Sequence, residues 1–100
     1  MAKPRSTQSL VTGIGFVPAS REDVRTGLIG FVTCVFAGTL LLDGIALRLT
    51  AERRPTLSFP SKIDRWGYKR TFFRPVDDSA RRAIEAAVFT ALGIDPEVQL

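Results

Sequence analysis

One stretch of this chain has the periodicity of a helix, and it lies near the end; what precedes it is patterned as strands. Ala80, Ala83, Ile84, Ala87, Val88, Ala91 and Leu92 fall on one helical face, with Arg81, Arg82 and Glu85 largely opposite. Asp77, Asp78 and Ser79 are N-cap candidates and set negative charge at the positive end of the helix dipole. Gly93 suits the position after the last turn, and Pro96 forbids continuation. One helix covers at most one face of a sheet. The expected class is therefore α+β, an antiparallel sheet of about five strands with one C-terminal helix packed on it. A chain of 100 residues has room for a single domain, expected over residues 10–93, between a disordered start at 1–9 and a tail at 94–100.

Ser9 to Val17 reads as a first strand weakened by Gly13 and Gly15, and Pro18 to Arg25 as a polar connection too short to fold. No residue from Thr26 to Leu42 is charged, which approaches the lower length limit of a membrane helix. Gly27, Gly30, Gly38 and the run Val32-Thr33-Cys34-Val35 argue instead for two strands, Gly27 to Phe36 and Thr39 to Thr50, joined at Ala37-Gly38. No membrane insertion is expected. Asp43-Gly44 is a hairpin signal, but a second reversal so soon would leave strands too short to pair, so a β-bulge at Gly44 is expected. After a charged loop, Thr56 to Ser61 and Tyr68 to Phe73 form the fourth and fifth strands, with Lys62 to Gly67 as their turn. Of the neighbours Phe72 and Phe73, one should reach the core and the other should not.

The net charge of +4 is unevenly spread. Arg48, Arg53, Arg54, Lys62, Arg65, Lys69, Arg70 and Arg74 crowd the middle third against Glu52 and Asp64 alone. A solvated charged face and an anion-attracting surface both fit that pattern. Catalysis fits poorly. The chain has no His, the usual base near neutral pH, and its single Cys34 supports neither a disulfide within the chain nor a thiolate zinc site. Asp77 and Asp78 suit capping better than acid–base work, and no phosphate-cradling Gly-rich loop is present. No enzyme activity, metal, cofactor or small-molecule substrate is expected. Cys34, in an apolar run, reads as a small buried hydrophobe in a reducing compartment.

What remains is a basic β-hairpin carrying aromatics: Phe59, Trp66, Tyr68, Phe72 and Phe73. Guanidinium groups pair with phosphates, and aromatic rings stack on bases. Trp66, in a turn, has three possible fates: a lid on the core, an anchor in a dimer partner, or a stacking platform.

Residues 59–88 resemble the SpoVG family (stage V sporulation protein G, or septation protein) of small bacterial regulators. The family pattern runs Met-Pro-Ser, a basic turn with a glycine, a strand ending in His-Pro-Ile, and a helix with spaced Arg, Ile and Ala-Val. Phe59-Pro60-Ser61, Gly67, Pro75-Val76, Arg81, Ile84 and Ala87-Val88 line up with it without a gap. The departures are Phe59 for methionine, Trp66 for an acidic residue, Thr71 for aspartate and Arg74 for histidine. The resemblance implies a sheet with a C-terminal helix, dimerisation through the sheet, and binding of DNA and RNA in septation or sporulation control.

Together these readings set the expectation of a homodimer that binds DNA or RNA phosphates through Lys62, Arg65, Lys69, Arg70 and Arg74. Trp66 would stand at the hairpin tip, with Arg53 and Arg54 flanking the groove. The alternative is a protein-interaction module at the division site, whose basic surface meets an acidic partner.

Overall fold

The computed structural model describes residues 10–95. The expected disordered segment 1–9, Ser9 of the expected first strand, and residues 96–100 lie outside the described residues. Among the described residues six strands and two helices follow one another: β1 (Val11–Pro18), α1 (Arg21–Arg25), β2 (Leu28–Phe36), β3 (Leu40–Leu49), β4 (Pro55–Ser58), β5 (Ser61–Ile63), β6 (Lys69–Thr71) and α2 (Asp78–Leu92). β1 to β4 form an antiparallel meander in chain order, and β5 pairs with β6 in a separate two-stranded sheet. The α+β class and the terminal helix agree with the sequence reading.

The five expected strands differ in two respects: they do not share one sheet, and Lys62 and Ile63, expected in the turn, belong to an additional short strand, β5. The stretch expected as a single strand from Thr56 to Ser61 is broken at Phe59-Pro60, because Pro60 has no amide to give to a ladder. Beyond the break the chain leaves the main sheet and pairs only with itself. The hairpin is tied back at its base, where the Phe72 amide donates to the Pro60 carbonyl at 2.9 Å and the Phe59 and Phe73 rings meet edge to face at 6.0 Å. Phe73 packs on the core and Phe72 is exposed, which divides the two neighbours as strand alternation requires.

A second correction concerns Pro18 to Arg25, expected as unstructured connection. Ser20 caps a single helical turn there, its Oγ accepting from the Asp23 amide at 3.2 Å, with Glu22 and Asp23 at the dipole's positive end. A cap and two acids suffice for α1 where no apolar stripe exists.

Both neighbours of β2 bulge at one level. Gly13 and Ile14 of β1 stand opposite Cys34 alone, and Asp43 and Gly44 of β3 stand opposite Thr33 alone. The bulge expected at Gly44 is present, with φ at 78° and the Gly44 amide donating to Asp43 Oδ1 at 2.7 Å. Paired bulges sharpen the twist and curl the sheet. The chain reverses at Ala37-Gly38 as expected.

The core lies between the sheet and α2. Val11, Val32, Cys34, Ile45, Leu47 and Leu57 from the four strands meet Ile84, Ala87, Val88 and Phe89 from the helix. Each large aliphatic buried there contributes about 1.5–3 kcal/mol relative to exposure. Asp77 is the N-cap, its Oδ1 accepting from the Ala80 amide at 2.8 Å, and Gly93 ends the helix in the left-handed region. No helix among the described residues is long and apolar enough to cross a membrane.

Candidate nucleic-acid interface

The site is built on the β5–β6 hairpin, whose order comes from its turn. Asp64 Oδ1 accepts from the amides of Trp66 and Tyr68, both at 2.9 Å, and Oδ2 accepts from Arg70 Nε at 3.0 Å. The Tyr68 amide foremost, with the Arg70 guanidinium and the Trp66 amide, holds the Asp64 carboxyl below the usual carboxylate range. Gly67 takes φ of 84° to close the turn. The carboxylate that sequence reading left without a role is the staple of the hairpin.

Register divides the hairpin into two faces. Lys62 stands opposite Arg70, and the Asp64 amide donates to the Tyr68 carbonyl at 2.9 Å, so those side chains share a face. Ser61, Ile63, Lys69 and Thr71 take the other. That second face looks onto a cleft of about 410 Å³ between the hairpin, β4 and the start of α2. Arg48 from β3, Lys69 from β6, Arg74 from the segment that follows and Arg81 from α2 line it. Thr56, Ser58 and Thr71 add hydroxyls, and among the described residues no carboxylate lines the cleft. A second concavity, over β6, is lined by Lys69, Arg70, Thr71 and Arg74, so the two depressions share three residues.

Arg81 is held in place. Its Nη2 donates to Thr56 Oγ1 at 3.3 Å and to the Leu57 carbonyl, and its guanidinium carbon sits 5.7 Å from the Phe59 ring centroid. Glu85 completes the arrangement: Oε2 accepts from the Leu57 amide at 3.1 Å and from the Thr56 hydroxyl at 3.3 Å, and lies 3.9 Å from Arg81 Nε. The outward backbone groups of Leu57 are thus satisfied by two helix side chains where another strand would otherwise pair. This corrects the expectation that Arg81 and Glu85 fall opposite the packed face. They lie at its flank, and the β4 edge reaches them.

Of the expected contact residues, Lys69 and Arg74 converge on the cleft. Arg70 joins them in the concavity over β6, while Lys62 lies on the outward face. Arg65 and Trp66 form the tip, the guanidinium 4.9 Å over the indole. Trp66 is 69% exposed, which rules out the lid on the core. Arg53 lines a different concavity with Arg25, and neither it nor Arg54 lines the cleft. Sequence reading missed Arg48 and Arg81 as site residues. Arg48 was visible only as one of the basic residues crowding the middle third, and Arg81 only as a helix residue, opposite the apolar face and within the family pattern.

No protein-family model, curated protein or solved structure matches this chain. The likeness to SpoVG proteins therefore rests on the spacing within residues 59–88.

Proposed function

We propose that the protein binds the phosphate backbone of nucleic acid, DNA or RNA, through the cleft and the hairpin beside it. The observation that carries this reading is the cleft itself: four cationic side chains from four separate segments converge with three hydroxyls, and among the described residues no acid lines it, Glu85 standing 3.9 Å from Arg81 at its margin. Cations drawn together at mutual electrostatic cost make sense where an anion repays it. Phosphodiester oxygens take guanidinium and hydroxyl donors alike. The resemblance to the SpoVG family supports the same partner and a bacterial regulatory role in septation or sporulation. Homodimerisation is part of the reading, supported by the sheet face opposite the helix, where Val17, Phe31 and Leu41 are exposed.

Salt dependence tests it. Affinity for duplex DNA should fall with rising salt at a log–log slope of about −0.9 per phosphate neutralised. Lys69→Ala with Arg74→Ala should weaken binding to every sequence alike and flatten the slope by about 1.8. A double variant with an unaltered slope refutes the assignment. Absence of binding to both DNA and RNA at low salt favours the protein-interaction alternative.

A further inference from the structure

We infer that the outward face of the β5–β6 hairpin stacks on unpaired bases, so that the strand it holds is single; this rests on the nucleic-acid reading above. Backbone bonds Asp64–Tyr68 and Phe72–Pro60 continue the register of Lys62–Arg70 one residue past each end of β6, which sets Tyr68 and Phe72 on the face of Arg70. Tyr68 is 64% exposed and Phe72 66%, while the other aromatic of the pair Phe72-Phe73 goes to the core. A cation stands between the two rings: Arg70, 5.9 Å over the Tyr68 ring, with Lys62 directly across from it. The acid on this face, Asp64, is taken up by two backbone amides and Arg70.

Tyr68 and Phe72 are four residues apart, so an extended backbone sets their rings about 13.6 Å from each other, with Arg70 midway. That is about four times the 3.4 Å repeat of stacked bases in a duplex. The two rings therefore meet bases that are not neighbours, with the backbone between them passing Arg70 and Lys62. A strand drawn out of its stack bares its base faces to the rings. A duplex presents no open base face to them. β6 belongs to both surfaces, Lys69 and Thr71 turning to the cleft while Arg70 turns outward, so phosphates and bases of one strand are met from one ribbon.

The test compares three fluorescent probes at one salt concentration: a single-stranded 16-mer, its duplex, and an abasic 16-mer with the same phosphates. The single strand should bind about tenfold or more tightly than the other two, since stacking adds roughly that factor per base. Tyr68→Ala with Phe72→Ala should lower its affinity to the abasic level. Binding of the abasic probe should be unchanged, which also shows that the variant is folded. Equal affinity for the single-stranded and abasic probes overturns the inference, as does tighter binding of the duplex, and either leaves the nucleic-acid reading standing. Failure of all three probes to bind overturns both.

Discussion

At the scale of single residues, two backbone positions show how differently glycine is needed. Ala37 has φ of 54° and Gly38 φ of 66°, so the β2–β3 turn asks two consecutive residues to be left-handed. Glycine does so freely; alanine pays for its Cβ, by about 1–2 kcal/mol. Asn-Gly is the pair such turns prefer. Ala37→Asn should therefore stabilise the fold by about 0.5–1 kcal/mol, a conservative share of that strain. Gly30 is required for a different reason. A Cβ there would stand 2.4 Å from the Val17 carbonyl oxygen and 2.6 Å from the Phe16 ring. The carbonyl belongs to the paired neighbouring strand and has nowhere to go. Gly30→Ala should cost about 1–3 kcal/mol, the range of an overpacked core. Urea unfolding checks both: opposite shifts of the midpoint at a constant slope support the account, and equal midpoints contradict it.

At the scale of elements, the hairpin stands apart from the main sheet and depends on Asp64. Its folded-state carboxyl titrates below the usual range, chiefly because the Tyr68 amide bonds its charged form. A depressed acid contributes stability that is whole above the unfolded value, about 3.9. That contribution is lost as pH falls from there through the lower folded value. Amide exchange or Trp66 emission should thus report an ordered tip at neutral pH that loosens below about pH 4, and Asp64→Ala should show the loosened signal at neutral pH. A tip indifferent to both changes removes Asp64 from this role. The elements themselves divide by what determines them. α2, the Ala37-Gly38 reversal and the Gly44 bulge rest on local signals, and all were legible. α1 was overlooked because one capped turn has no periodicity to read. The separation of the hairpin was missed because Pro60 marks a break equally well at the end of a strand or between two sheets.

At the scale of the whole molecule, the cleft could not be read from the chain, because Arg48, Lys69, Arg74 and Arg81 become neighbours only once β4 and α2 have packed. The same packing leaves the sheet lopsided. α2 covers one face and, through Arg81 and Glu85, closes the β4 edge at Leu57. On the other face, pairing aligns Val17 with Phe31 and Ala46, and Val35 with Leu41. Val17 and Leu41 are 62% and 68% exposed, and Phe31 is also open to solvent. An apolar surface of this kind on a small domain is costly in water and marks an association site. In the homodimer proposed above, a second copy would answer it by symmetry, each sheet covering the other's open face with no further partner required. Light scattering should give twice the chain mass at micromolar concentration. Leu41→Glu, at a position whose exposure spares the core, should return the mass of one chain with unchanged circular dichroism. A wild-type mass of one chain at every concentration overturns the dimer and leaves the cleft to act within a single copy.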